Sequence, residues 1–174
     1  MASNAAVYPA SSPYPWYALK VRTRGEIFIG QCLTRKSVET FVPTYKQART
    51  YTDRIKQIDA PLFPGYIFCR TDIERRLPIL KTPGVEYFVS CERIPEPIPK
   101  HEIEAIMRVV RDGQVKPWPY LKQGDRVRVT AGSFTDVEGI LSSEKGVDRL
   151  VLSITMLQRS VAVEIDRMWV QPIS

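Results

Sequence analysis

The stretch Gln114 to Pro119 (QVKPWP) sets two prolines in six residues between two halves with different hydrophobic spacing, and this switch limits the fold more than any other feature. Beyond it every strong segment has period two. Asp125 to Thr130, Val137 to Ser142, Leu150 to Ile154, Ser160 to Ile165 and Met168 to Pro172 read as short strands, with Gly124, Gly132, Gly139 and Gly146 interspersed. Five short strands in about 50 residues predict a small barrel, because closure removes the exposed edges of a flat sheet. The Val, Ile and Thr content and the glycines disfavour helices there.

Before the switch, both periods occur. Trp16 to Arg22 alternates, Gly25 to Lys36 carries Ile29, Cys32 and Leu33 at helical spacing, and Thr40 to Tyr45 is strand-like. Residues 46 to 60 are polar and charged and predict an extended loop or hairpin. A second unit follows: a strand from Gly65 to Arg70, a short helix around Glu74 to Lys81 limited by Pro78, and a strand from Val85 to Ser90. Residues 94 to 99 (IPEPIP) form a stiff connection to a helix from Lys100 to Asp112, whose apolar face is Ile103, Ile106, Met107 and Val110. Two strand–helix–strand units and a final helix predict a ferredoxin-like α/β sandwich, so the class is α+β. The expected division is a tail at 1–14, a first domain at 15–113, a linker at 114–119 and a barrel at 120–174.

Within the first domain, Phe63-Pro64-Gly65-Tyr66 is the sharpest local signal. Pro64 and Gly65 suit the two central positions of a type II turn, which presents Phe63 and Tyr66 on either side. Aromatics displayed this way suit a protein-docking surface. An ordinary turn with core aromatics satisfies the same residues.

Charge is unevenly spread. Residues 1–119 hold 18 Lys or Arg against 12 Asp or Glu, whereas 120–174 hold seven of each. Lys20, Arg22, Arg24, Arg35, Lys36, Lys46, Arg49, Arg54 and Lys56 face only Glu26, Glu39 and Asp53 in the same window, a candidate footprint for nucleic acid or a solvated face. Cys32, Cys69 and Cys91 have no metal-ligand spacing and read as buried free thiols of a reducing compartment. No stretch approaches the roughly 20 apolar residues of a membrane span, and the N-terminus has no signal-peptide pattern, so a soluble cytoplasmic protein is expected. His101 stands alone, and no phosphate-binding glycine motif occurs, so neither an enzyme nor a cofactor or metal site is indicated.

Taken in order, Trp16-Tyr17-Ala18-Leu19, Phe41-Val42-Pro43, Phe63-Pro64-Gly65-Tyr66, Thr82-Pro83-Gly84-Val85, Ile98-Pro99 with Glu102 to Met107, Gly124 to Val129 and Val163 to Asp166 resemble the NusG family of transcription elongation factors. The resemblance implies an NGN domain followed by a KOW barrel, with bacterial RNA polymerase as the partner. It implies that Trp16, Tyr17, Phe63, Pro64, Gly65 and Tyr66 line the polymerase-binding depression. Thr82, Pro83, Gly84 and Val85 match the family's second polymerase contact. It further implies that Arg22, Arg24, Arg35, Lys36, Arg49, Arg54 and Lys56 face non-template or upstream DNA, in a protein that is monomeric and needs no cofactor.

The barrel loop Met156, Leu157, Gln158 and Arg159 departs from the aromatic and glycine that housekeeping members use there to meet Rho and a ribosomal protein. The run Leu157 to Glu164 is similar to specialised antiterminators of capsule and exopolysaccharide operons. A housekeeping factor acting in Rho-dependent termination and ribosome coupling is the alternative. A ribosomal KOW protein would put its positive charge on the barrel, and this barrel is neutral.

Overall fold

The computed structural model describes residues 12–121 and 124–173, so most of the expected tail at 1–14 lies outside the described residues. In chain order the elements are β1 (Trp16–Val21), α1 (Glu26–Arg35), β2 (Glu39–Phe41), β3 (Thr44–Thr50), β4 (Ile55–Pro61), β5 (Tyr66–Arg70), α2 (Leu77–Leu80), β6 (Val85–Phe88), β7 (Ser90–Cys91) and β8 (Ile94–Pro95). They continue with α3 (Lys100–Asp112), β9 (Val115–Trp118), β10 (Asp125–Val129), β11 (Glu138–Glu144), β12 (Val147–Ile154), β13 (Arg159–Glu164) and β14 (Val170–Pro172). The α+β class is as expected. Two compact units form, one from the chain through Val42 with Pro64–Ile98, the other from Pro43–Phe63 with Pro99–Ser174.

In the first unit, β2, β5, β1 and β6 make a four-stranded antiparallel sheet in that order. Strand alternation sends Tyr17, Leu19 and Val21 to one face, where they pack with Ile29 and Leu33 of α1, Ile67 and Cys69 of β5, Ile79 of α2 and Phe88. The opposite face carries the rings of Trp16, Phe41 and Phe68, with Trp16 edge-on to Phe41 at 6.5 Å and Phe41 6.0 Å from Phe68. Glu26, Ile29, Gly30 and Leu33 share the buried stripe of α1.

Several boundaries differ from the sequence reading because of proline. The strand expected over Thr40 to Tyr45 is two strands, since Pro43 has no N–H to continue the β2 ladder. The 46–60 segment is the hairpin β3–β4. Between Asp72 and Arg76 the chain makes a 3₁₀ turn capped by Asp72, and Pro78, in the first turn of α2 with no N–H for the Glu74 carbonyl, breaks the helix expected over Glu74 to Lys81 into two short pieces. Within the stiff connection at 94–99, Ile94–Pro95 pairs with Ser90–Cys91.

In the second unit, β14, β10, β11, β12, β13 and β9 form a six-stranded antiparallel sheet in that order. The expected linker is therefore structured: Val115–Trp118 pairs with β13, and Pro117 is accommodated because β9 is an edge strand. Leu150 opposes Val163 and Leu152 opposes Val161 on the inner face. Val151 and Ala162 oppose each other on the other face and are also buried. The helix α3 packs against β12, which explains why Leu150 to Leu152 is a continuous apolar run rather than an alternating one. Its buried stripe is Ile103, Ile106 and Val109, so Met107 and Val110 fall to its flanks.

A Cβ at Gly139 would stand 2.6 Å from the Val151 carbonyl oxygen and 2.9 Å from the methyls of Leu150 and Leu152. Gly139→Ala should therefore destabilise the β-rich unit by about 2 kcal/mol. A urea midpoint equal to that of the parent chain would show that β11 and β12 are not packed this closely.

Candidate functional site

The β1–α1 junction gathers both glycine turns of the first unit. Val21 N–H donates to the Gly65 carbonyl at 2.9 Å, and the next residue, Arg22, donates its N–H to the Gly84 carbonyl at 2.8 Å. Gly65 and Gly84 both have left-handed φ, +82° and +92°, as their turns require. A Cβ at Gly84 would lie 2.6 Å from Ile29 Cδ1, so the Thr82–Val85 turn sits directly on α1.

One buried acid completes the junction. Glu26, 2% exposed, accepts the Gly65 N–H through Oε1 at 2.8 Å. It occupies the first turn of α1, where a carboxylate is favoured by the helix dipole, and thereby ties the helix to the Pro64-Gly65 turn. Beside this turn, the Lys20 ammonium lies over the Tyr66 ring at 5.1 Å. Thr82 is buried, donates to the Pro78 carbonyl at 3.1 Å and accepts from Lys36 Nζ at 2.8 Å.

The six residues expected to line one depression are dispersed. Pro64 is exposed, Tyr66 half-buried and Gly65 buried at the start of β5. Trp16 pairs with Arg70 at the opposite end of β1, and the Arg70 guanidinium stacks on its ring at 5.1 Å. Tyr17 points to the α1 face of the sheet, 5.9 Å from the Phe88 ring. Phe63 is 1% exposed. Of the six, Pro64 and Tyr66 are the ones presented at a surface, and the Thr82–Val85 turn lies beside them through the shared end of β1.

The basic residues fall into three groups. Arg22 and Arg24 occupy the loop between β1 and α1, Arg35 and Lys36 the C-terminal end of α1, and Arg49, Arg54 and Lys56 the β3–β4 hairpin. All are exposed. Lys36 is spent on Thr82 and the Pro78 carbonyl. Among the described residues, the side chains of Arg22, Arg24, Arg35, Arg49, Arg54 and Lys56 make no hydrogen bond or ion pair. Barrel cations behave differently. Arg126 and Arg128 meet Glu138, Arg149 meets Glu144 and Glu164, and Arg167 meets Asp148.

Met156, Leu157 and Gln158 lie between β12 and β13 and Arg159 opens β13, with Gln158 and Arg159 exposed and Gln158 left-handed at φ 49°. Sequence reasoning missed how this loop is held. Glu102 on α3 accepts the Thr155 N–H at 3.0 Å and pairs with the Thr155 hydroxyl at 2.5 Å, while Arg108 donates to the Ser133 and Thr135 carbonyls. It also missed Glu26, although its place in the Ile29, Gly30 and Leu33 stripe marks it as inward-facing. Of the thiols only Cys69 is buried, where burial pushes its pKa up to about 12; Cys32 is half-buried and Cys91 exposed.

A family model described as "Transcription termination factor nusG" matches residues 14–107. A Pseudomonas aeruginosa protein named "Transcription termination/antitermination protein NusG" is 30% identical over 136 residues, 74% of this chain and 76% of that one. A protein of the same name from Campylobacter jejuni is 25% identical over 167 residues, 88% of this chain and 94% of that one. The solved structure described as "Domain interaction in Thermotoga maritima NusG" aligns with a TM-score of 0.56 at 22% identity, over 92% of this chain and 97% of that one, a likeness of fold.

Glu26→Ala should leave the buried Gly65 N–H without an acceptor and destabilise the first unit by about 2 kcal/mol, whereas Glu26→Gln, which keeps an oxygen there, should lose less. Urea titration of both variants checks this. Equal midpoints for Glu26→Ala and the parent would mean the carboxylate does not hold the turn.

Proposed function

The chain belongs to the NusG family, and from that membership we propose that it is a bacterial transcription elongation factor that binds RNA polymerase and promotes processive elongation and antitermination. The observation that carries the reading in this chain is the convergence of the Pro64-Gly65-Tyr66 and Thr82–Val85 turns on consecutive residues, Val21 at the end of β1 and Arg22 just beyond it. In this reading Pro64 and Tyr66 touch polymerase, on a turn whose shape Gly65 sets. Trp16, Tyr17 and Phe63 serve as core residues that fix the strands carrying the turn. Thr82 to Val85 supply the second polymerase contact.

Arg22, Arg24, Arg35, Arg49, Arg54 and Lys56 then meet DNA of the elongation complex. Exposed cations with no partner among the described residues are able to release counterions from phosphates, which gives salt-dependent and sequence-tolerant attraction. Lys36 acts within the Thr82 turn instead. The NGN-like part comprises residues 15–113 and the KOW part 120–174.

The chain is a specialised antiterminator rather than a housekeeping factor, a reading supported by the Met156–Arg159 loop, which offers Gln158 and Arg159 to solvent and no aromatic residue. Its cytoplasmic location follows from the partner. No helix among the described residues is long and apolar enough to cross a membrane.

Single-round transcription with purified bacterial RNA polymerase, on a template with a pause and a Rho-dependent terminator, tests this. The expected result is less pausing and less termination. Tyr66→Ala should weaken polymerase binding by about 2 kcal/mol, roughly 30-fold, and abolish the effect at matched concentration. Stimulated Rho termination would assign the chain to the housekeeping branch, and a Tyr66→Ala variant as active as the parent would refute the turn as the contact.

A further inference from the structure

Lys20 is the one cation of β1, and its neighbours across the sheet are aromatic. The register sets it directly opposite Tyr66 of β5 on one side and Tyr87 of β6 on the other, so the three side chains form one row on one face. That face is the one opposite Tyr17, Leu19 and Val21, and its next row, Ala18 opposite Phe68, is buried and uncharged. The Lys20 ammonium lies over the Tyr66 ring at 5.1 Å and against the backbone of Gly65, where a β carbon would collide with Nζ. Tyr87 stands 52% exposed on the outer side of the row. Among the described residues the Lys20 side chain makes no hydrogen bond or ion pair. Glu26, the acid beside this turn, is buried and turned to the Gly65 N–H.

We propose that the Tyr66–Lys20–Tyr87 row is a receptor for one carboxylate, an Asp or Glu side chain of the docked protein, with the two rings as its apolar walls. The proposal rests on the reading of Tyr66 as a polymerase contact and adds the chemistry of the polymerase segment that meets it: acidic at one position and apolar around it. An ammonium already seated between a glycine backbone and a ring has little rotamer freedom left to lose on pairing. The phenol rings exclude water once a partner covers the row, and a charge pair shielded in this way is worth more than one on an open surface. Gly65 therefore has a second role besides its left-handed φ, since the missing β carbon leaves room for the ammonium. A nucleic-acid strand is held instead by several cations on successive phosphates, and this row holds one and continues into Ala18 and Phe68.

Fluorescence anisotropy of the labelled full chain titrated with core RNA polymerase decides the matter. Lys20→Met, which keeps an unbranched stem and removes the charge, should bind at least about tenfold more weakly than the parent, Lys20→Glu more weakly still, and Lys20→Arg within about threefold of it. Lys145→Met removes the same charge from the turn between β11 and β12 and should bind as the parent does. Carbodiimide coupling, which joins an amine directly to a carboxylate, gives a readout that does not depend on how a variant folds. The parent complex should yield a peptide that links Lys20 to an Asp or Glu of polymerase. Lys20→Met binding as tightly as the parent, or no Lys20 cross-link in a complex that forms, would overturn the carboxylate receptor and leave the polymerase reading standing. A Lys20→Met variant that loses affinity for labelled single-stranded DNA and not for polymerase would assign the row to phosphate and overturn it as well. A parent chain that binds no polymerase would refute the function, and this pairing with it.

Discussion

The hydrogen bond from the Gly65 amide to the buried Glu26 carboxylate is the interaction on which the candidate surface depends. It links the first turn of α1 to a backbone position that only a left-handed residue fills, and it fixes where β5 begins. Because Val21 and Arg22 bind the Gly65 and Gly84 carbonyls in succession, placing one turn places the other. The end of β1 thus acts as a common anchor for both turns.

The fold was legible wherever a segment has a single environment. α1, α3 and β10 follow from period alone, since each buries one face or stripe, whereas β1, β5, β12 and β13 bury both faces and are marked by apolar runs between turn residues. The proline-rich segments were not legible. QVKPWP contains the signal of a linker, yet Pro117 costs nothing on an edge strand, a fact that depends on which strand lies outermost. The aromatic side chains of the expected depression lie deeper than their sequence motif suggests for a related reason. Trp16 and Tyr17 are neighbours in sequence and therefore point to opposite faces, so a motif continuous along the chain is not a continuous surface.

Charge shows the reverse case, where a weak sequence signal gains meaning from structure. The barrel holds as many cations as the Lys20–Lys56 window has in excess of its acids, and one more, but four of its arginines are consumed by carboxylates on neighbouring strands. Besides Lys20, the window keeps six cationic side chains with no hydrogen bond or ion pair among the described residues. Composition counts both kinds alike; their hydrogen bonds and ion pairs separate a structural charge from one available to a polyanion. Glu102 and Thr155 extend the same lesson to the barrel loop, whose conformation is set by an acid some fifty residues earlier in the chain.

The central claim is that the turn held by Glu26 is the surface that meets polymerase. Photocrosslinking tests it most directly, with a benzophenone side chain placed at Tyr66 in the parent chain and in the Glu26→Ala background, each assembled on a transcription elongation complex. The account predicts a cross-link to the largest polymerase subunits that is strong in the parent and much weaker without the carboxylate. No cross-link at Tyr66, or equal cross-linking in the two backgrounds, would contradict it.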